Sequence, residues 1–343
     1  PWPLSEDDYL CAYAEDAKRH GIYWIDRFGN RELIYRDPAI PCLSPMPLRP
    51  RPEPSVATDQ TAPTATEGPA TIAVMNVYDS DFQWPEGTKI TALRIVQVLP
   101  KIVPRVNEPR IGVATGSNAR SVLGTVPVEA DGSAYFEAPV GKVLYFQALD
   151  ERGMAVQSMR SGTYVHPGER LVCQGCHERK HRPPSVPRAV VSALQRQPSK
   201  IRPEPDGSNP FSYARLVQPV LDRHCVACHG EEKALDLGGV IEGPHGWARS
   251  YTNLAGKYGF YFHGSNGSIN SGVHGGSRTI PGKFGARASR LMEYLDESHY
   301  GVRLPPDDLR RLTLWLDSNS EFYGSYHDIE AQARGEVVYP RLD

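Results

Sequence analysis

Four of the six cysteines lie in two short motifs, each of which ends in a histidine. The motifs are Cys173-Gln174-Gly175-Cys176-His177 and Cys225-Val226-Ala227-Cys228-His229. In a Cys-x-x-Cys-His motif the two thiols add across the vinyl groups of a haem, and the adjacent histidine binds the iron. The sequence therefore predicts two covalently bound haem c groups, with His177 and His229 as proximal iron ligands.

The same cysteine pairs are also compatible with a four-cysteine zinc site. Zinc ribbons usually place about 15–20 residues between two such pairs, whereas Cys176 and Cys225 are much farther apart. A four-cysteine site also has no need of a histidine after each pair. Haem attachment is therefore the prediction, and an additional zinc or calcium ion is left open.

The second ligand of the first haem iron is not fixed by the motif. His181 follows His177 by one helical turn, so both imidazoles are expected on one face of a helix, where they would not clamp one iron from opposite sides. One of them is predicted to bind the iron, and the other to bind a second metal, a haem propionate or nothing. We predict that His181 contacts the iron or a metal beside it. His166 is another candidate, although a surface histidine is the simpler interpretation.

The second haem iron needs a distal ligand from another segment. His299 is predicted, because it lies between two predicted amphipathic helices that together can close a haem pocket. The expected apolar walls are Leu291, Leu295, Leu312 and Trp315. Met292 is the main rival, although a methionine inside a helix more often fills a core. His263 and His274, in a loop rich in glycine and serine, remain alternatives.

The elements that must position these motifs are predicted to be mainly β in the N-terminal half. The chain of 343 residues has 31 glycines and 31 prolines, which favours short strands and many turns. We expect a mixed fold, in which a propeller-blade remnant and a β-sandwich-like domain precede an α-helical cytochrome c domain. The predicted segments are a β meander (1–48), a linker (49–70), the sandwich (71–165), a first haem segment with a short helix (166–203) and a cytochrome c-like domain (204–343).

Individual strands and helices follow from residue patterns. The predicted strands are Tyr9–Tyr13, Ile22–Ile25, Glu32–Tyr35, Thr71–Val77, Ile90–Leu99, Ser121–Val128, Ser133–Ala138 and Val143–Leu149. Asp131-Gly132 is typical of a hairpin turn. The predicted helices are Tyr213–Cys228, interrupted at Pro219, and Ala288–Leu295 and Pro306–Leu316.

Charge and hydropathy exclude several classes of partner. The formal net charge of -2, with both signs interspersed, disfavours nucleic-acid binding. No apolar run approaches the roughly 18 residues of a membrane span. Thioether attachment of haem takes place on exported proteins, so we expect a periplasmic or otherwise extracytoplasmic bacterial location. The abrupt start at Pro1 is interpreted as a processed or truncated chain whose export signal lies upstream.

The state of the remaining two cysteines is left open by the sequence. Cys11 and Cys42 could form a disulfide, one of them could be a metal ligand, or they could be buried thiols.

Several segments resemble the hydrazine synthase alpha subunit family of dihaem c-type cytochromes, over nearly the whole chain. They are Gly141–Leu149, Tyr164–Glu169 with the first motif, Lys283–Leu295 and His299–Leu304. The resemblance implies that residues 1–40 resemble the last blade of a β-propeller. It implies a catalytic first haem whose axial ligand is a tyrosine four residues beyond the motif histidine, where this sequence has His181. It also implies a six-coordinate electron-relay haem with His229 as proximal ligand.

Three functions are compatible with these features. The first is electron transfer by a dihaem cytochrome within a redox complex, with other subunits or electron-carrier proteins as partners. The alternative is a haem oxidoreductase resembling hydrazine synthase, with chemistry on a small nitrogen-containing substrate at the first haem and the second haem as relay. The third is a scaffold protein that mediates assembly, with oligomer formation left open.

Overall fold

The structure is a computed structural model, and it describes residues 1–14, 19–50, 53, 56, 68–176, 190–231, 233–262 and 279–341. The chain is divided into two compact units, Pro1–Thr58 and Asp59–Asp343. Over the described ranges, thirteen strands in four sheets outnumber five short α-helices, so the predicted β-rich character is confirmed. None of the helices in these ranges is long and apolar enough to cross a bilayer.

The unit Pro1–Thr58 contains one antiparallel sheet whose strands pair in chain order. Its strands are β1 (Trp2–Pro3), β2 (Asp8–Tyr13), β3 (Gly21–Asp26) and β4 (Arg31–Tyr35). The carboxylate of Asp26 closes the turn after β3, because it accepts hydrogen bonds from the backbone N–H groups of Phe28 and Asn30 at 2.9 Å each. The strands and the turn predicted for this region are confirmed.

Cys11 and Cys42 are both half-buried free thiols. Cys11 lies on β2, and the backbone N–H of Cys42 donates a hydrogen bond to the carbonyl of His20 at 2.9 Å. A disulfide between them, one of the three alternatives from the sequence, is therefore not formed in this structure.

The unit Asp59–Asp343 contains two sheets that share one apolar core. One sheet has the order β10-β9-β6-β7 and the other the order β11-β5-β8. These strands are β5 (Ala70–Val74), β6 (Ala92–Val98), β7 (Arg120–Pro127), β8 (Ala134–Ala138), β9 (Leu144–Leu149), β10 (Ala155–Ser158) and β11 (Arg170–Cys173). Phe136 on β8 and Phe146 on β9 meet edge to face across the core, with ring centroids 5.7 Å apart. A further two-stranded ribbon pairs β12 (Ile241–Glu242) with β13 (Trp247–Ala248).

Strand β11 corrects the prediction for the first motif. It pairs with β5 in parallel, with Cys173 opposite Val74, so the motif begins at the end of a strand and not in a short helix. The sheet therefore extends past the predicted boundary at residue 165. A strand of four residues with alternating exposure carries too weak a pattern to be recognised in the sequence.

The helices of this unit are short and surround a second apolar cluster rich in aromatic residues. They are α1 (Tyr213–Leu216), α2 (Gln218–His224), α3 (Arg249–Ala255), α4 (Pro306–Asp317) and α5 (Ile329–Ala333). Pro306 begins α4 as predicted, with Asp307 and Asp308 in its first turn. Because α4, at 12 residues, is the longest helix of the described ranges, an α-helical cytochrome c domain stays a prediction.

The predicted helix Ala288–Leu295 is wrong. Two 3₁₀ segments, Gly285–Ala288 and Arg290–Tyr294, occupy this region instead, and Ser289 separates them in an extended conformation. The hydroxyl of Ser289 accepts a hydrogen bond from the N–H of Leu291 at 3.1 Å and donates one to the carbonyl of Tyr258 at 2.6 Å. A serine that bonds to the backbone in this way competes with continuous α-helix formation.

A buried ion pair joins the β-sheet core to the end of α4. Arg94 on β6 donates to Asp317 at 2.8 Å and to Gln147 at 2.9 Å, and both charged side chains are about 1% exposed or less. Asp317 also accepts hydrogen bonds from the backbone N–H groups of Ala155 and Ala286. Burial raises the pKa of Asp317, although Arg94 and these donors oppose the shift.

We predict that Arg94→Met lowers the free energy of unfolding by about 3–5 kcal/mol, because it leaves the buried carboxylate of Asp317 without its cation. Urea unfolding followed by circular dichroism measures the change. Arg105→Met is the control, since the Arg105–Glu108 pair is 76% and 63% exposed and should contribute little. Equal stabilities of the two variants would contradict the assigned role of Arg94.

Candidate functional site

The second motif begins where α2 ends and makes one further helix-like turn. The N–H of Cys225 donates to the carbonyl of Leu221 at 2.8 Å, and the N–H of His229 donates to the carbonyl of Cys225 at 2.9 Å. This turn brings Cys225, Cys228 and His229 to the wall of one cavity. Cys225 and His229 are half-buried, whereas Cys228 is exposed.

That cavity, here called the His299 cavity, has a volume of about 880 Å³. Its size is typical of a site for a large cofactor. Most of its walls are apolar or aromatic, and they are supplied by α2, α3, α4 and the loops between them. These lining residues include Leu221, Leu235, Leu237, Leu254, Tyr258, Leu291, Tyr294, Leu295, Tyr300, Val302 and Leu312.

Two imidazoles face each other across the His299 cavity. The ring centroids of His229 and His299 lie 6.1 Å apart, and the ring planes are within 14° of parallel. Two imidazoles that bind one metal ion from opposite sides, each through a bond of about 2 Å, have ring centres about 6 Å apart. The separation of the ring centroids is therefore the one expected for two imidazole ligands of one metal ion.

The orientation of His229 is set by a neighbouring carbonyl. Its Nδ1 lies 3.3 Å from the carbonyl oxygen of Leu235. A neutral imidazole that donates a proton from Nδ1 presents the lone pair of Nε2 to a metal, and metal-binding histidines usually have such a partner. His229 is therefore arranged as a metal ligand through Nε2.

The other candidate distal ligands are placed differently. Met292 packs against the apolar cluster of the helices and is not among the described residues that line the cavity. Of the four predicted walls, Leu291, Leu295 and Leu312 line the cavity, whereas Trp315 is fully buried in the core beside it. His263 and His274 lie outside the described residues.

The thiol of Cys225 is half-buried, and this burial raises its pKa, with a further contribution from the neighbouring Cys228. In the part of the chain that the structure describes, no three His, Cys, Asp or Glu side chains form a group that could hold a metal ion. An additional zinc or calcium ion therefore has no ligand group among these residues.

An ionic contact that the sequence did not reveal lies at the edge of the His299 cavity. Asp308 in the first turn of α4 lies 2.9 Å from His224 Nε2 and 2.7 Å from Arg223. Burial would raise the pKa of Asp308, but the hydrogen bonds from His224 and Arg223 outweigh it and hold the pKa below its usual value. The contact ties α2, which leads into the motif, to α4.

The first motif lines a smaller cavity of about 360 Å³, here called the Cys173 cavity. Its apolar side comes from the two-sheet core, and its polar side from β10 and the segment after it. Besides Cys173, Gly175 and Cys176, the lining residues are Val74, Leu93, Phe146, Ala148, Gln157, Ser158, Met159, Arg160, Ser161, Val172 and Thr279. Arg160 was not recognised in the sequence, since nothing near it in the chain marks a site.

The histidines predicted for the first haem are only partly described. His177 and His181 lie outside the described residues, so their predicted roles stay predictions. His166 is exposed, its ring lies 5.2 Å from that of Tyr164, and it is not among the described lining residues of the Cys173 cavity. This placement favours the surface interpretation of His166.

Gly175 allows the first motif to pack against the loop that follows β5. The N–H groups of Met75 and Asn76 donate to the carbonyls of Cys173 and Gln174 at 2.9 and 3.0 Å. A Cβ atom on Gly175 would lie 2.1 Å from the carbonyl oxygen of Asp79, far inside contact distance. Only glycine fits at position 175.

Comparisons with known proteins place these sites in a family context. Residues 88–178, which end just after the first motif, match the family model for the hydrazine synthase alpha subunit middle domain. The hydrazine synthase subunit alpha of Kuenenia stuttgartiensis is 22% identical over an alignment 356 residues long, which covers 74% of this chain and 44% of that protein. A solved structure of Kuenenia stuttgartiensis hydrazine synthase superposes with a TM-score of 0.59 and 18% identity, over 94% of this chain and 54% of the other. The chain thus spans about half the length of these relatives, and its resemblance to the alpha subunit is confirmed.

We predict that Gly175→Ala lowers the free energy of unfolding by about 1–3 kcal/mol, because the added methyl group cannot be accommodated beside Asp79. Urea unfolding measures the loss. Gly256→Ala is the matched control, since a Cβ there meets nothing within 4 Å and the backbone has ordinary helical angles. That variant should be neutral or more stable by about 0.4–1 kcal/mol. A neutral Gly175→Ala would show that the motif does not pack as described.

Proposed function

We propose that this hydrazine synthase alpha-like chain is part of an extracytoplasmic dihaem c-type cytochrome that transfers electrons within a redox complex. The observation that supports this most directly is the parallel pair His229 and His299, 6.1 Å apart in a cavity that Cys225 and Cys228 also line. Haem c requires this combination of two thiols, one proximal imidazole and an apolar pocket.

Five residues of the His299 cavity have a defined part in this proposal. Cys225 and Cys228 would hold a haem through thioether bonds, and His229, which the carbonyl of Leu235 orients, and His299 would bind its iron. When bound, haem supplies an iron that cycles between two oxidation states. Because His229 and His299 would both bind the iron and leave no open position for a substrate, this site favours electron transfer over substrate binding.

The apolar walls and the ionic contact at the edge complete the site. Leucine side chains around the pocket exclude water, which strengthens the electrostatic influence of the protein on the iron. Arg223 and Arg303 line the same cavity, where they pair with Asp308 and Glu297, and their remaining N–H groups are suited to bind the carboxylates of a haem. The cytochrome c-like character of residues 204–343 is part of the same proposal.

Cys173 and Cys176 are proposed to hold the other haem, with His177 as its proximal ligand and His181 as a contact of its iron or of a metal beside it. A second candidate function applies here, namely oxidoreduction of a small nitrogen-containing substrate, with the second haem as electron relay. The similarity to hydrazine synthase favours it. His181 stands where the resemblance implies a tyrosine, so the potential of this haem is expected to differ from that of a tyrosine-ligated one.

The proposed location is the bacterial periplasm or another extracytoplasmic compartment, because thioether attachment of haem takes place on exported proteins. The proposed partners are other subunits of a redox complex or electron-carrier proteins. The similarity to a protein named as a subunit supports an assembly of this kind.

We predict that the purified protein exceeds the mass of its polypeptide by two haems and keeps them after denaturation, because thioether bonds survive unfolding. Intact-mass spectrometry measures this. Cys173→Ala and Cys228→Ala should each weaken attachment of the corresponding haem only, so each variant is the control for the other. A mass equal to that of the bare polypeptide would refute the proposal.

We predict that His299→Ala converts the second haem from a six-coordinate low-spin spectrum to one that binds carbon monoxide, because it opens the distal position. Absorption spectra of the ferrous protein, with and without carbon monoxide, measure the change. Met292→Leu is the control and should leave the spectrum and midpoint potential unchanged. If His299→Ala stayed low-spin and Met292→Leu did not, Met292 would be the ligand.

Carbon monoxide and nitric oxide also separate the two candidate functions in the unmodified protein. Binding at the first haem of the reduced protein favours oxidoreduction of a small substrate. The absence of binding at either haem favours electron transfer alone.

A further inference from the structure

The two cavities are linked by a short aromatic segment. Tyr258 follows α3 by a few residues and lines the His299 cavity. Four residues later, Phe262 packs beneath the guanidinium of Arg160, whose central carbon lies 3.9 Å from the ring centroid. Arg160 lines the Cys173 cavity. Residues 258–262 therefore run from one cavity to the other.

Aromatic rings make successive contacts from the His299 side. The ring of His299 lies 5.5 Å from that of Tyr294, and Tyr294 lies 5.8 Å from Tyr258, in both cases edge to face. Tyr258 and Tyr294 thus continue the ring contacts from the proposed distal ligand to the start of the segment.

Three phenylalanines continue the contacts towards the Cys173 side. Phe260 and Phe284 are buried with ring centroids 5.0 Å apart, and Phe262 lies 6.3 Å from each of them. The covalent backbone through Gly259 joins Tyr258 to Phe260. The route from His299 to Arg160 therefore consists of ring contacts, this one stretch of backbone and the packing of Phe262 on Arg160.

The segment is held rigidly by the chain that follows α4. Phe260 N–H donates to Ser320 Oγ at 3.0 Å, and that hydroxyl donates back to the carbonyl of Phe260 at 2.8 Å. Asn319 does the same for Phe262, since its Oδ1 accepts from Phe262 N–H at 2.8 Å and its Nδ2 donates to the carbonyl at 3.2 Å.

Asn319 and Ser320, which hold the segment through these hydrogen bonds, are themselves in an unfavourable backbone conformation. Asn319 and Ser320 have φ values of 63° and 48°, in the left-handed region that residues other than glycine rarely adopt. Such a conformation costs of order 1–3 kcal/mol and persists only where the surroundings impose it. Gly259 permits the close approach, because a Cβ there would lie 2.8 Å from Ser320 Oγ.

We propose that Tyr294, Tyr258, Phe260, Phe284 and Phe262 form the electron path between the two haem sites, with Arg160 at its Cys173 end. This inference rests on the proposed dihaem function. One electron leaves the ferrous iron of one haem and reduces the ferric iron of the other, so no bond is made or broken and no proton is required. Electron tunnelling decays more steeply across through-space gaps than through bonded or closely packed atoms, and a fixed path keeps the coupling between its ends constant.

The test is the rate of electron exchange between the haems of the intact protein. Pulse radiolysis reduces haems faster than electrons redistribute between them. The absorbance changes that follow report this redistribution. Exchange within one molecule is identified by a rate that does not depend on protein concentration. We compare Phe260→Leu and Phe262→Leu with the unmodified protein. Phe322→Leu is the matched control, because Phe322 is also buried but packs on Tyr213 and Tyr251 and lines neither cavity.

We expect exchange to slow several-fold in both path variants and to be unchanged in Phe322→Leu, with both haems attached and both midpoint potentials kept. Phe262→Tyr should restore the rate, since it restores the ring, which a purely structural role would not require. Unchanged rates in Phe260→Leu and Phe262→Leu would overturn the path while leaving the dihaem function intact. The absence of exchange in an unmodified protein with two attached haems would overturn the path and electron transfer between these sites together. A protein that holds fewer than two haems would overturn the proposed function itself.

Discussion

The buried carboxylate of Asp317 is the constraint on which the arrangement of the larger unit depends. A carboxylate that is fully removed from water is tolerated only when every oxygen is paired. Asp317 obtains its partners from three separate places, namely Arg94 on β6, Ala155 at the start of β10, and Ala286 in a 3₁₀ segment. The end of α4 can therefore take only one position against the sheets, and the loop that carries Leu291 and His299 starts from a fixed point.

The two ends of α4 each hold a segment that leads to one of the two cavities. At its start, Asp308 binds His224 and Arg223 and holds α2, which leads directly into the second motif. Beyond its end, Asn319 and Ser320 clamp the segment that runs towards Arg160. One helix of 12 residues thus relates the position of His229 to that of the Cys173 cavity.

The sequence predicted the local features that depend on a few neighbouring residues. The strands of residues 1–35, the start of α4 at Pro306 and the β-rich character follow from alternation, turn residues and capping, and the structure agrees with them. It disagrees where a single contact overrides the pattern. Ser289 bonds to the backbone and splits a predicted helix into two 3₁₀ segments, and β11 forms because β5 offers a parallel partner, although its own four residues carry little signal.

The candidate sites likewise combine features that the sequence predicts with features that depend on the tertiary structure. Two complete Cys-x-x-Cys-His motifs fix by themselves the chemistry that is expected, because the spacing of thiols and imidazole is a property of adjacent residues. The sequence predicted His299 as the distal ligand but left Met292, His263 and His274 as alternatives, since the pairing of two imidazoles across a cavity depends on how α2, α4 and the loop before α4 pack. The contacts of Arg160, of Asp308 and of the aromatic segment near Phe260 had no signal in the sequence. Their partners are separated from them by many residues in sequence, and only the tertiary structure, held at Asp317, brings them together.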